Sequence, residues 1–224
     1  MISPLKFRLT TKPTEPRTAI RYTPARLAVT ARPMRVLDFD VEARPLHWIA
    51  GDYVSREITA MAWAWVHDPE AVTCYLLGET DPVVMLRAFV EAYNQADLVT
   101  GHYIVGYDLL MINGAMTEYG LPSLGDKMVQ DTKVHFIKRA GLSSSQENLG
   151  AMLGLSHPKV KMDQSRWRAA NRLGLEGRAL ARERVIGDVK QHIEMRQRLL
   201  ELGYLGPAKK WKSNSSEPLA AYTP

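Results

Sequence analysis

The spacing of hydrophobic positions divides this chain into a strand-rich first part and a more helical second part. A buried apolar run beginning at Val36 predicts a first strand, and similar short runs predict strands over 46–50, 57–66 and 72–77. Gly51 and Asp52 predict a turn between two of them. From Pro82 the apolar spacing becomes helical, with Asp81 as the N-cap.

The second part alternates strand and helix before it ends in a long helix. A strand over 97–100 leads into a helix that carries Asp108 on its first turn, and residues 131–132 are predicted to open another helix. A short helix follows over 146–154. The core-facing stripe of the last helix is Val185, Val189, Ile193 and Leu200. This order predicts an α/β fold with a mixed central sheet flanked by helices.

The net charge of +5 is unevenly distributed. Residues 36–131 hold four basic and fifteen acidic side chains, whereas residues 132–208 hold fourteen basic and seven acidic ones. Residues 36–131 are therefore acidic, and residues 132–208 are basic and suited to contact phosphate groups. Two ordinary solvated surfaces would explain the same asymmetry.

Composition also predicts the domain boundaries. Residues 1–34 are basic and rich in Pro and Thr, which predicts a flexible arm, and residues 208–224 predict a flexible basic tail. Residues 35–207 form the predicted folded domain. One cysteine excludes an internal disulfide, and no apolar run approaches the roughly 20 residues of a membrane span. The expectation is a cytoplasmic protein with no membrane contact.

Four carboxylates are flanked in the sequence by apolar residues, which predicts that they are buried: Asp40, Glu42, Asp108 and Asp188. Asp40 and Glu42 are two apart on a strand and so share one face of the sheet, together with Asp38, a competing ligand candidate. Buried carboxylates that converge repel one another unless cations neutralise them. Oxygen ligands suit Mg²⁺ or Mn²⁺, and two such ions about 3.5–4 Å apart support displacement at phosphorus. The pattern therefore points to phosphodiester chemistry.

Three motifs in order resemble those of the DEDD (DnaQ-like) 3′–5′ exonucleases, a branch of the ribonuclease H-like superfamily that includes polymerase proofreading domains. They are Asp40-Val41-Glu42, the segment Thr-Gly-His-Tyr-Ile-Val-Gly-Tyr-Asp over 100–108, and Gly187-Asp188-Val189. The resemblance covers residues 35–203. It implies a ribonuclease H-like sheet and a hydrolase that binds two divalent ions through Asp40, Glu42, Asp108 and Asp188. It further implies a nucleic-acid substrate and a role in DNA repair or proofreading, with a DNA polymerase as a partner.

The chain departs from that family at two places. Tyr103 stands where the second motif usually has Asn, and Arg184 and Glu183 stand where the third motif usually has the Tyr or His that orients water. Water activation is then left to the metal or to His192, which lies one turn after Asp188 and is a candidate general base. Of these two routes we expect the metal.

Candidate nucleic-acid contacts surround these motifs. Arg44 suits a bidentate phosphate contact, and a surface arginine is the alternative interpretation. His102 is placed to meet a phosphate or to cap a loop. Tyr103 and Tyr107 are candidates for stacking on the last base, although core packing explains Tyr107 equally well. Lys159 and Lys161 begin a basic stretch that suits a nucleic-acid track.

Three functions remain open from sequence alone. We favour a metal-dependent 3′–5′ exonuclease acting on single-stranded DNA, with RNA as a second possible substrate. The absent Tyr or His instead favours a non-catalytic domain of the same fold that binds nucleic acid or a polymerase. A ribonuclease H-like endonuclease would share the carboxylates without needing the 100–108 motif.

Overall fold

The computed structural model describes residues 32–46, 54–137 and 141–213, and its named elements belong to the unit Met34–Pro224. The strands are β1 Val36–Pro45, β2 Arg56–Trp65, β3 Thr73–Leu76, β4 Leu98–Gly101, β5 Lys127–Asp131 and β6 Lys209–Trp211. The helices are α1 Pro82–Gln95, α2 Asp108–Glu118, α3 Gln146–Leu153, α4 Gln164–Arg172 and α5 Leu175–Glu201.

Within these residues the six strands form one mixed sheet in the order β3-β2-β1-β4-β5-β6. Strands β1, β4 and β5 are parallel, and β2, β3 and β6 pair antiparallel with their neighbours. Helices pack on the sheet, which confirms the predicted α/β class and is consistent with a ribonuclease H-like arrangement. Strand β1 lies inside the sheet and delivers its side chains to both faces.

The two faces of β1 carry different side chains. Leu37, Phe39 and Val41 point into the main core, where Phe39 packs against Phe89 of α1 with ring centroids 5.0 Å apart. The opposite face receives α5. There the alanines of β2 pack against an apolar stripe of that helix, and the contacting residues are Ala60, Ala62, Ala64, Val185, Val189 and Ile193. Small alanine side chains let α5 approach the sheet closely.

Several local predictions are confirmed. Asp81 caps α1, and its carboxylate accepts hydrogen bonds from Val83 N and Val84 N at 2.9 and 3.3 Å. The strands predicted over 57–66 and 72–77 correspond to β2 and β3. Helix α3 ends at Gly154, whose φ of 62° is the left-handed conformation that glycine adopts readily.

The prediction of a helix opening at residues 131–132 was wrong. Asp131 ends β5, and its carboxylate accepts hydrogen bonds from Lys133 N and Val134 N at 2.8 and 3.0 Å, which closes a turn. The same carboxylate also accepts from Tyr103 N and Val105 N, both at 3.0 Å. An aspartate that satisfies four backbone donors stabilises a loop junction rather than a helix start.

Two further predictions need correction. Leu200 is 37% exposed and Leu199 is buried instead, because the end of α5 packs on α3 rather than on the sheet. Residues 209–211 were predicted to be flexible tail but form β6, where Lys210 Nζ lies 2.9 Å from Asp126 Oδ2 and Trp211 packs on the core. The strand predicted over 46–50 and its turn lie almost wholly outside the described residues.

In the parts of the chain that the structure describes, no helix combines the length and apolarity that a bilayer crossing requires.

Candidate metal centre

The face of β1 that meets α5 presents three carboxylates in a row. Asp38, Asp40 and Glu42 are opposite alanines of β2 in the antiparallel register, and those alanines are Ala64, Ala62 and Ala60. A register shift follows directly after Glu42, the last acidic side chain of this strand. Since alanine leaves space above the sheet, this face can hold the carboxylates and the polar side chains of α5 together.

Asp40, Glu42 and Asp188 converge, and one carboxylate oxygen from each lies within 4.8 Å of the others. Asp188 reaches the group from α5 and is only 2% exposed. Its Oδ1 is buried without a hydrogen-bond partner, whereas Asp40 and Glu42 are half-buried. An unsatisfied buried carboxylate oxygen beside two further carboxylates fits a hard divalent cation such as Mg²⁺ or Mn²⁺.

The electrostatics of the group agree with its geometry. Burial raises the pKa of Asp40 well above its ordinary value, and the charges of Asp108, Asp188 and Glu42 raise it further. Burial also raises the pKa of Glu42, although Arg184 opposes the shift. Carboxyl groups held together in this way favour protonation unless a cation is bound.

Asp108 lies beside this group rather than within it. It begins α2, as predicted, but its Oδ1 accepts a hydrogen bond from Val41 N at 3.0 Å, across to β1. Burial raises the pKa of Asp108 to about 7, with the Val41 amide opposing the shift. Of the four predicted ligands the structure therefore groups three and places the fourth next to them.

Two cationic side chains contact the carboxylates directly. The Arg184 guanidinium donates to Glu42 and also lies 3.4 Å from Asp188 Oδ2. Lys159 Nζ lies 3.2 Å from Asp188 Oδ2, so this lysine, predicted as a nucleic-acid contact, sits at the acidic group itself. Glu183 is 60% exposed and lies 3.8 Å from Arg166, which places it away from the carboxylates.

His192 occupies a neighbouring but separate position. Its Nδ1 is hydrogen-bonded to Asp38, and its Nε2 lies 2.8 Å from Thr132 Oγ1. Thr132 Oγ1 also lies 2.9 Å from Nδ1 of His102, which extends the chain of buried polar groups. Burial lowers the pKa of His102 to about 3, so this ring is neutral at ordinary pH. Because both ring nitrogens of His192 are already hydrogen-bonded, its position favours a structural role in which it links α5 to β1.

The remaining predicted contacts differ in how exposed they are. Arg44 lies 2.6 Å from Glu57 Oε2 and donates a hydrogen bond to the Asn171 carbonyl at 3.0 Å, so its guanidinium is paired within the protein. Lys161 is exposed. Tyr107 is half-buried, and its hydroxyl accepts a hydrogen bond from Arg56 at 3.3 Å.

Tyr103 is the most unusual of these residues. Its φ of 73° lies in the left-handed region, where a tyrosine is strained and the asparagine usual in the resembled motif is better tolerated. Its side chain is 42% exposed, and Lys133 Nζ lies 4.0 Å from the ring centroid. Gly106 gives the ring room, since a Cβ there would come within 2.5 Å of it. The chain thus holds an aromatic ring at the surface at a cost in backbone strain.

A cavity of about 490 Å³ adjoins the acidic group. Lys159, Arg184 and Trp167 contribute to its walls, and the remaining lining residues are Glu147, Val160, Lys161, Met162 and Asp163. A larger cavity of about 680 Å³ lies between α5 and the end of α3. None of the four carboxylates lines either cavity, but only the smaller one is lined by Lys159 and Arg184, which contact Asp188 and Glu42. The smaller cavity is therefore the one relevant to chemistry at this site.

Sequence reasoning named Arg184 only as the residue at the usual water-orienting position and did not assign it a role in the site. Arg184 precedes Asp188 by one helical turn, a spacing that predicts an ion pair between them. Nothing in the sequence indicated that the same guanidinium would reach Glu42 on β1 or lie 4.9 Å from the Trp167 ring centroid.

Replacing Asp108 with asparagine tests the electrostatics of the site. The amide oxygen of the new side chain can still accept the Val41 hydrogen bond, but the side chain carries no charge. Because the folded pKa of Asp108 is about 7 and its unfolded pKa is about 4, the parent loses stability relative to Asp108→Asn as pH rises between those values.

The measurement is thermal unfolding of both metal-free proteins from pH 4 to pH 8. The melting temperature of the variant should exceed that of the parent by an amount that grows up to about pH 7 and then levels. The pH dependence of the parent's melting temperature alone does not test this, because His102 acts in the opposite direction. Burial lowers the pKa of His102 to about 3, so its neutral form makes the folded state more stable as pH rises. A difference that does not vary with pH would contradict a raised Asp108 pKa.

No protein-family model matches the chain, and no curated protein matches it either. Among solved structures it is similar to the family B DNA polymerase from the hyperthermophilic archaeon Pyrobaculum calidifontis, with a TM-score of 0.55 and 16% sequence identity. The match covers 75% of this chain and 25% of the polymerase chain. At that identity the likeness establishes a shared fold.

Proposed function

We propose that this chain is a divalent-metal-dependent 3′–5′ exonuclease that hydrolyses phosphodiester bonds of single-stranded DNA. The observation that carries the proposal is the convergence of Asp40, Glu42 and Asp188, with a buried Asp188 oxygen that lacks a partner. A binding module would have no need to bring these charges together, since their mutual repulsion disfavours the folded state.

Each residue has a distinct part in the proposed reaction. Asp40, Glu42 and Asp188 would hold the metal, and Asp108 supports β1 next to them by accepting the Val41 hydrogen bond. A bound divalent ion supplies Lewis acidity for the attack of water on phosphorus and stabilises the leaving 3′ oxygen. Lys159 adds a positive charge at the edge of the group, on the side of the adjoining cavity.

The exposed ring of Tyr103 supports single-stranded nucleic acid as the substrate class. Stacking of a base on an aromatic side chain is tolerant of sequence and stabilises single strands, whose bases are accessible. Lys133 beside that ring and Lys161 beside the cavity add positive charge. The fold shared with a DNA polymerase supports a nucleic-acid function, and we propose DNA rather than RNA on that basis.

The two alternatives rest on specific features. Arg184 at the position usual for a water-orienting Tyr favours a domain that binds nucleic acid without cleaving it. The carboxylate group favours hydrolysis, but it is shared by ribonuclease H-like endonucleases.

Linear and circular single-stranded DNA of equal length separate the exonuclease from the endonuclease. With Mg²⁺ or Mn²⁺ present, the linear strand should be degraded and the circle should remain intact, because the proposed reaction starts from a free 3′ end. The measurement is gel analysis of both substrates over one time course, and degradation of the circle at the rate of the linear strand would establish an endonuclease.

A further inference from the structure

Arg184 is held in one place by contacts in several directions. Its Nε donates to Glu42, and one terminal nitrogen donates to the Val160 carbonyl at 3.1 Å. The guanidinium also lies against the Trp167 ring, and the side chain is only 13% exposed. A planar guanidinium fixed by a carbonyl and an aromatic ring loses little further freedom when it contacts carboxylates. It is a positioned charge rather than a mobile surface arginine.

Another arginine on the same helix shows the contrast. Arg182 is 41% exposed and pairs with Glu79 at the protein surface, away from the acidic group. It shares residue type and helix with Arg184 but contacts none of the four carboxylates. The position of Arg184 therefore depends on its surroundings in the site and not on a general basic face of α5.

The charges at the site favour a small number of ions. The four carboxylates carry four negative charges when ionised, and Arg184 and Lys159 bring two positive charges into contact with them. One divalent ion makes this cluster neutral, whereas two would leave it positive. In a partly buried site, where water screens charges less than in bulk solution, such an excess of positive charge is unfavourable.

The geometry agrees with that balance. Only three carboxylates offer oxygens within 4.8 Å of one another among the described residues, which is a ligand set for one ion. The fourth, Asp108, directs one oxygen to the Val41 amide. Arg184 lies on the side of Glu42 and Asp188, where it bridges two of the three grouped carboxylates.

We infer that Arg184 takes the place of one of the two ions expected from the family resemblance, so that the site binds a single divalent ion and Arg184 supplies the second positive charge. This inference rests on the proposed metal-dependent function. In that arrangement Arg184 bridges Glu42 and Asp188, and its single positive charge lies in the wall of the cavity, where a substrate phosphate would lie. It acts as a positioning residue for the carboxylates and as a fixed cation.

The number of bound ions tests the inference without an activity assay. Mn²⁺ is titrated into the full chain, and free Mn²⁺ is followed by its electron paramagnetic resonance signal. The parent should bind one ion per chain. Arg184→Met, which keeps much of the side-chain length and removes the charge, should bind two. Arg184→Lys keeps a positive charge and should bind one, as should the matched control Arg182→Met.

The outcomes separate the inference from the proposed function. Two ions in the parent, or one ion in a folded Arg184→Met protein, would overturn the inference and leave metal-dependent hydrolysis intact. No Mn²⁺ binding by the parent at millimolar concentration would overturn the proposed function itself. Thermal unfolding establishes whether each variant is folded. If Arg184→Met is not folded, the ion counts of the parent and of Arg184→Lys decide. One ion in each would support the inference, and two ions in either would overturn it.

Discussion

Asp40→Asn is expected to lower the rate of single-strand hydrolysis by about 10³-fold. The substitution removes one of three grouped carboxylates and so weakens the metal ligand set. Metal-ion catalysis stabilises a transition state by several kcal/mol, and each 1.4 kcal/mol or so corresponds to a tenfold change in rate. The measurement is the initial rate on a labelled linear strand at saturating Mg²⁺, with Asp68→Asn, at an exposed position just after β2, as the control.

The same substitution should stabilise the metal-free protein. Burial and three neighbouring carboxylates raise the pKa of Asp40, so its ionised form is unfavourable in the folded state at neutral pH. A neutral asparagine removes that repulsion, and the melting temperature should rise at pH 7.5 without metal. Loss of activity together with a gain in stability would distinguish a functional residue from a structural one. A variant that keeps parental activity and Mn²⁺ affinity would contradict the proposed site.

His192→Ala is expected to affect stability more than the rate of hydrolysis. It should lower the free energy of unfolding by about 3 kcal/mol. The side chain is 2% exposed and hydrogen-bonded to Asp38, which is fully buried. Removing one partner of a buried pair leaves the other without compensation, which typically costs about 3–5 kcal/mol. Burial already raises the pKa of Asp38, so it can take up a proton and reduce that cost, hence the value at the lower end.

The rate of hydrolysis by folded His192→Ala should fall less than about tenfold. A positioned general base contributes about 10²–10⁴-fold, and both ring nitrogens of His192 are already engaged by Asp38 and Thr132. Urea unfolding and the initial rate below the melting transition measure the two effects. His157→Ala, a half-exposed histidine paired with Glu194, is the control and should change neither strongly. A rate loss of a hundredfold or more with metal binding intact would identify His192 as the base.

Local sequence rules predicted the elements that depend on local signals. Asp81 before Pro82 gave the start of α1, and the run beginning at Val36 gave the strand that carries Asp40 and Glu42 on one face. The mixed α/β sheet followed from the order of such elements. Strand β6 could not be predicted from composition, because its three residues are held by pairing with β5 and by the packing of Trp211.

The candidate site likewise combines features that the sequence predicted with features that depend on tertiary packing. Motif spacing predicted that Asp40, Glu42 and Asp188 lie close together, and the structure places them within one group. Spacing could not show that Asp108 would direct an oxygen to Val41 N or that Arg184 would bridge β1 and α5. Those contacts depend on how closely α5 approaches the sheet, which is set by alanines on a different strand.

The decisive experiment for 3′–5′ exonuclease activity is the product pattern from a 5′-labelled linear single strand incubated with the parent protein and Mg²⁺ or Mn²⁺. We expect a ladder of labelled products that shortens progressively from the 3′ end, disappears when a chelator is added, and is nearly absent with Asp40→Asn. A strand that stays intact with folded, Mn²⁺-loaded parent protein, or a ladder unaffected by the chelator, would contradict the proposed function.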